Sequence, residues 1–341
     1  MKMNERKSFG SVLLVALLAI MLLAALAAVI ASSISAKSKI RVDYLQKVKI
    51  HYLAESANAI ARNKLLKLQD TRNLENIKDK MFEGGIISIQ IIQLDAHLWE
   101  IEAVAEDINH MKKVKISNIV IPRFEYSLYA GNILMHSKSG NLFNSGKICS
   151  LNIQEGSFDK MTNACPPYTD LPQLNNSFFT SLIPFPSKDV AIINEDNYIL
   201  DGKVVKIEPK IYLATKNLTI KNVSTEASFI SLAGDIIINE NCYISKYKNY
   251  PAVASLRNNI QINTMEPISV DGLIYAKNVF INGSINVKGA IYAQNSIIID
   301  KKDNSKELKM NVIFDESVLQ TKGLTFKWDS FKNLSWKVIS Q

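Results

Sequence analysis

The sequence predicts an α+β chain that is mostly β. It reads as a long N-terminal transmembrane and amphipathic helix, an antiparallel sheet, and then a parallel β-solenoid. Three observations carry this reading. Residues 12–31 contain no polar residue, no glycine and no proline. Three segments beyond Gly84-Gly85 alternate apolar and polar residues at period two. Near the C-terminus, a unit that begins Gly272-Leu-Ile-Tyr-Ala returns 17 residues later as Gly289-Ala-Ile-Tyr-Ala.

Residues 1–10 are a short basic leader, with Lys2, Arg6 and Lys7 against Glu5. Residues 11–35 form the span. Twenty apolar residues make a helix about 30 Å long, which matches the hydrocarbon thickness of a bilayer. A helix that is apolar on every side suits lipid and not a soluble core. The alanines close to Ala31 resemble a signal-peptidase site, so removal of the whole segment is the alternative. Lys37, Lys39 and Arg41 follow the span as closely as the leader's bases precede it, and charge alone does not set its orientation.

Residues 36–131 are expected to hold an amphipathic continuation of the helix followed by the sheet. Leu45, Val48, Tyr52, Leu53, Ala57, Ile60, Ala61, Leu65 and Leu68 recur near the helical period. Residues 86–94, 97–104 and 113–121 then read as strands of a meander that ends at Pro122. Packing the sheet on the helix would bury both apolar faces. Residues 132–210, rich in Asn, Ser, Gly and Pro, read as a loop-rich linker.

Residues 211–316 carry the solenoid-like repeats. Beside the strong pair at 272–281 and 289–298, weaker copies lie at 217–220, 235–238, 259–263 and 311–314. Each brief strand is followed by Asn or Gly, residues that accept left-handed turns. Inward Ile, Leu and Tyr would stack from coil to coil; a β-sandwich is the alternative. Residues 317–341 read as a tail.

Of three cysteines, Cys149 and Cys165 bracket a polar loop. A disulfide there would contribute about 3 kcal/mol in the chain-entropy model, and two free thiols are the equal alternative. Cys242, in an alternating apolar segment, reads as a core residue. The net charge of +8 is spread along the chain, which argues against a nucleic-acid footprint and is compatible with an anionic surface polymer. His51, His97, His110 and His136 show no metal-ligand spacing, and no nucleotide-binding or nucleophile motif is present. Asp235, Glu240, Asp271 and Asp300 form no carboxylate pair at coil spacing. No enzyme and no cofactor is expected. Exposed Tyr and Asn ladders on the solenoid would suit glycan or mineral contact.

The leader, Gly10-Ser11, the immediate apolar run and the long amphipathic helix together resemble the N-terminal signal of type IV pilins and pseudopilins. The closer resemblance is to PilX-type minor pilins, through Tyr52-Leu-Ala-Glu-Ser-Ala57 in the helix and the Gly-x-Ile-Tyr-Ala coils. The resemblance implies that a prepilin peptidase cuts after Gly10 and that the new amine on Ser11 is methylated. Major pilins carry a Glu where this chain has Val15, and that departure points to a rare tip or initiation subunit. Other pilins or pseudopilins would pack against residues 11–35, where Ala24, Ala25, Ala27 and Ala28 allow close approach. The expected protein is a minor pilin-like structural subunit with a priming, tip or modulating role. It would be single-pass in a bacterial cytoplasmic membrane, with an extracytoplasmic body. The alternative is a membrane-anchored extracellular β-solenoid that binds or acts on glycans.

Overall fold

The computed structural model describes residues 5–67, 76–95, 97–109, 112–135, 140–152, 171–184, 187–264, 266–300, 308–326 and 331–340. Helix α1 (Glu5–Lys67) runs unbroken for 63 residues, about 95 Å at the α-helical rise. Its C-terminal half packs on the sheet through Ile50, Leu53, Ala54, Ala57, Ala61 and Leu65, all buried. The alanines recur at i, i+3 and i+7, the spacing of one helix face, and bring the backbone close to the sheet.

The first strands are β1 (Ile77–Phe82), β2 (Gly85–Asp95), β3 (Leu98–Asp107) and β4 (Lys113–Pro122). Each pairs antiparallel with the next, as the period-two pattern predicts. Trp99, Ile101, Ala103 and Ala105 of β3 face the helix and are fully buried, while Glu100 and Glu102 alternate outward. Glu102 and Glu106 then meet Lys115 and Lys113 of β4 across the outer face.

After Pro122 the chain leaves this sheet and builds a solenoid of about seven turns. Residues 132–210, expected as a linker, contain solenoid strands. Strands β5 (Tyr126–Met135), β6 (Gly140–Asn144) and β7 (Lys147–Asn152) form coils at one end. Next come β8 (Gln173–Leu174) and the short helix α2 (Asn176–Thr180). The opposite end of the stack begins with β9 (Val190–Ile193) and β10 (Asn197–Asp201).

Winding continues through β11 (Ile211–Ala214), β12 (Asn217–Lys221), β13 (Ser224–Glu226), β14 (Ser228–Ser231), β15 (Ile236–Asn239) and β16 (Tyr243–Ser245). It proceeds through β17 (Val253–Ser255), β18 (Asn259–Asn263) and the long strands β19 (Ile268–Asn282) and β20 (Ile285–Asp300), which bend around corners. It closes with β21 (Leu308–Ile313). Here β20 pairs in parallel with β5, and β21 with β6. The last coil in sequence therefore stacks on one from near the start, without a direct covalent link between them.

A 3₁₀ turn (Glu316–Gln320) and β22 (Leu324–Thr325) lead back to the first sheet. Strand β23 (Phe331–Ser340), expected as part of a tail, is its fifth strand and pairs antiparallel with β4. Pro122 and Phe331 are register partners. The solenoid is thus inserted between two neighbouring strands of the helix-backed sheet.

Three parallel faces enclose an interior of aliphatic rows. Ile236, Ile260, Val279, Ile297 and Ile133 form one such row in strict register. One face is buried on both sides. On its outside, Leu213, Ile230, Ala254, Tyr275, Tyr292 and Tyr129 fall in a single register row. This row meets Phe179 of α2, Val318, Leu319, Leu324 and Phe326, which form a second core with Ile121 and Phe124. Tyr275 and Leu273 therefore point away from the solenoid interior, whereas the sequence expectation placed them inward. Each coil needs its Ile and Ala inside and its Tyr outside because side chains alternate along a strand.

Candidate functional surfaces

The first surface is α1. It is the one helix, among the described residues, long and apolar enough to cross a membrane, and its apolar stretch is wholly uncovered. Val15 is 64% exposed, and Ala24, Ala25, Ala27 and Ala28 are exposed as well. The helix passes through Gly10 and Ser11 without interruption.

Beyond the span, exposed apolar residues continue. Ile40, Tyr44 and Tyr52 are exposed and Val48 half-buried, which gives one row at four-residue intervals. Ile40 and Tyr44 precede the residues seated on the sheet, and Val48 and Tyr52 border the sheet's edge. Where α1 leaves the sheet, a groove of about 640 Å³ is lined by Tyr44, Val48, Tyr52, Lys112, Val114 and Ser340. Lys112 bridges from the sheet to Asp43 and to Gln46 Oε1 (3.0 Å). Its ammonium holds the Asp43 carboxyl below the usual range.

His97 lies at the junction between the sheet and the inserted solenoid. It is buried, with Nε2–H donating to the Leu324 carbonyl at 2.7 Å. Its ring stands 4.8 Å from that of Phe326. Burial pushes its pKa down to about 4, against the opposing pull of the Leu324 carbonyl and Asp95. Nearby, Asn249 donates to Asp95 at 2.6 Å, a second tie across the same junction. His51 sits on the helix surface, 3.4 Å from Glu55. His110 and His136 lie outside the described residues.

Cys149 is buried and disulfide-bonded, while Cys242 is free and buried. Cys165, the partner that the sequence suggests, lies outside the described residues. Buried among aliphatics, the Cys242 thiol has its pKa pushed up, which leaves it a packing residue.

The solenoid's two other faces differ. On one, an outward row runs Asn197, Asn217, Asp235, Asn259, Asn278, Ser296. Its side chains bond along the stack, with Asn217 to Asn197 at 2.9 Å, Asn278 to Asn259 at 2.8 Å and Ser296 to Asn278 at 2.8 Å. Asp235 accepts from both the backbone and the side chain of Asn259. This is the expected Asn ladder, and its polar groups are used internally. The expected Tyr ladder exists as Tyr275, Tyr292 and Tyr129, but all three are buried against the second core.

The remaining face is open. Its outward rows are Ser224, Tyr243, Ser269, Asn286, Asn311 and, beside them, Glu226, Ser245, Asp271, Lys288, Ile313. Asp271 therefore neighbours Lys288, and Lys288 also reaches Asp315 at 3.8 Å. At the adjoining corner, Lys246 donates to Ser317 Oγ at 2.5 Å, and burial lowers its pKa. The Ser317 and Val318 N–H groups are already taken by Asp315. Lys246, Asp315 and Ser317 come from separate coils and the exit turn, and no motif flagged them. Among the described residues, no His, Cys, Asp and Glu cluster is arranged to hold a metal.

No family model matches the sequence, and a search of the curated proteins finds no match. Among solved structures, the chain is similar to the competence-associated pilin ComZ from Thermus thermophilus. The identity is 8% and the TM-score 0.30, with 86% of this chain and 98% of the other covered. A likeness of that degree is too slight to carry function.

Proposed function

We propose that this chain is a pilin-like structural subunit, anchored by α1 in a bacterial cytoplasmic membrane with its β body outside. In this role it takes part in assembling a type IV pilus or a related filament. The observation that supports the reading is the row Ile40, Tyr44, Val48, Tyr52. These residues lie beyond the lipid span, so the bilayer does not account for their exposure. Rows at four-residue intervals are the ridges by which helices interlock, and a neighbouring subunit's helix would cover this one.

Within the same proposal, a prepilin peptidase cuts after Gly10 and Ser11 becomes the methylated N-terminus. Val15, in place of a carboxylate, leaves no side-chain charge to pair with a neighbour's amine in apolar surroundings, where an unpaired charge is costly. A subunit at the tip or at initiation suits that arrangement. The role is structural and asks no catalysis of the body.

Mass spectrometry of protein extracted from membranes tests the proposal. A chain that starts at methylated Ser11 is expected. A chain that retains Met1, or one that starts near Ala31, would remove the basis for a filament role.

A further inference from the structure

We propose that the stretch of α1 between its apolar run and the body binds the headgroups of anionic phospholipids, in the leaflet on the body's side. This contact requires α1 to cross a membrane, and it is independent of N-terminal processing and of entry into a filament. Three observations carry it. First, Lys37, Lys39 and Arg41 bear charge that the chain does not offset. Between Glu5 and Asp43 the sequence holds no acidic residue. Asp43 itself is engaged by Lys47 and Lys112, and Lys113 beside them is paired with Glu106. Lys37, Lys39 and Arg41 are exposed, and none of them forms an ion pair among the described residues. The basic residues at the foot of the body thus have carboxylate partners, while the three next to the span have none.

Second, the heights fit. At the α-helical rise, Lys37 stands about 9 Å and Arg41 about 15 Å beyond Ala31, where the apolar run ends. The headgroup layer outside the hydrocarbon is about 5 to 7 Å deep, and the long stems of Lys and Arg let their charged ends reach back towards it. Those ends come within about one Debye length, ~8 Å at physiological ionic strength, of the lipid phosphates. Third, the charges surround the helix. Lys37 and Arg41 are four residues apart on one side, and Lys39 lies roughly opposite, so lipid on either side meets a cation. Arg41 can hold a phosphate through two parallel N–H bonds. Ser32, Ser33 and Ser35, exposed between the apolar run and Lys37, offer hydroxyl donors to the same layer. Phosphatidylcholine carries its own cation beside the phosphate, so a lipid with net negative charge is preferred.

The full-length protein is held in non-ionic detergent micelles with equal amounts of phosphatidylglycerol and phosphatidylcholine, and its lipid adducts are counted by native mass spectrometry. Phosphatidylglycerol adducts should exceed phosphatidylcholine adducts about fivefold or more. Lys37→Gln, Lys39→Gln and Arg41→Gln together should lower that ratio about threefold or more, since each charge near a lipid surface contributes a severalfold factor. Removing the same charge from exposed lysines of the body, by Lys203→Gln, Lys206→Gln and Lys277→Gln, should leave the ratio unchanged. All six positions are exposed, and equal thermal midpoints verify the fold. Extraction of membranes with alkaline carbonate checks the span separately. Release of the protein there would remove the anchor itself. Retention in the membrane with no preference for phosphatidylglycerol, or with a preference that the Lys37, Lys39 and Arg41 variant keeps, overturns the lipid contact alone.

Discussion

Gly289 shows how tightly one position can constrain a coil. It has a φ of +147° and sits directly on Gly272, at +132°, where the chain turns a corner. A Cβ at Gly289 would lie 2.1 Å from the Gly272 carbonyl oxygen, a backbone atom that cannot swing away. Gly289→Ala should therefore lower stability by roughly 2 to 3 kcal/mol, read as a fall in the denaturant midpoint. Both glycines are visible in the sequence as the first letters of the repeat, and their meaning follows from the physics of a tight corner. His97 is the opposite case. Its pKa falls from 6.5 unfolded to about 4 folded, so the unfolded chain binds the extra proton first as pH drops. Its contribution is complete above about pH 6.5 and is lost as pH falls towards 4, worth about 3 kcal/mol. His97→Gln retains a donor for the Leu324 carbonyl and does not titrate. Its stability should change less than the parent's between pH 7 and 4.5. An equal change in both would mean that other groups govern the acid response. Nothing in the segment Asp95-Ala-His97 discloses this, because the burying partners, Leu324 and Phe326, lie more than 200 residues away.

Among the elements, α1 is the one whose local pattern says most. The apolar run, the absence of Gly and Pro from residues 12–67 and the alanines at 54, 57 and 61 foretell the span, the length and the sheet-facing side. The second stripe is also present in the sequence, as Tyr44, Val48 and Tyr52. It is easily merged with the first, because apolar residues on two helix faces blur into one broad pattern. Only the sheet's position separates what it covers from what it leaves open. The separation has a consequence that can be measured. Val48 is half-buried at the sheet's edge beside Val114 and Ser340, so Val48→Asp should lower the folded body's stability by about 1 to 2 kcal/mol and leave it folded. If a neighbour's helix packs on this row, the same change buries an unpaired carboxylate in that contact and should abolish incorporation into filaments. Normal incorporation of the Val48→Asp chain would show that another face makes the contact. The strands of the solenoid illustrate a different limit. The register-exact copies at 272–276 and 289–293 stand out, while coils such as 190–201 and 126–135 share the geometry with little shared sequence. A buried coil position asks only for an aliphatic residue of suitable size, so distant copies diverge without losing the stack.

At the scale of the whole molecule, the arrangement is an insertion, and the sequence gives it no local mark. Strands β4 and β23 are neighbours in one sheet with 208 residues between Pro122 and Phe331. Strand pairing over such a separation depends on side-chain alternation alone, which the short C-terminal run shares with many loops. The solenoid has the same property, since β20 closes on β5 across the chain order. Two consequences follow from the cores. The helix-backed sheet buries its own aliphatic cluster, and the solenoid buries two others. The units meet through Ile121, Leu98 and the His97 and Asn249 ties. Because Pro122 and Phe331 are register partners, a short Asn-Gly turn can replace residues 123–330 without moving either strand. The shortened protein should fold as a helix-backed antiparallel sheet with a cooperative thermal transition. Residues 123–330 expressed alone should give a β-rich circular dichroism spectrum and a transition of their own. Ile121 and Leu98 leave the second core in that experiment, so each piece should be less stable than in the full chain by a few kcal/mol. If the shortened protein is unstructured while the excised solenoid folds, the solenoid supports the sheet and must fold first. If both fold, the helix and its sheet form an independent carrier, and the solenoid is a module displayed on it between two adjacent strands.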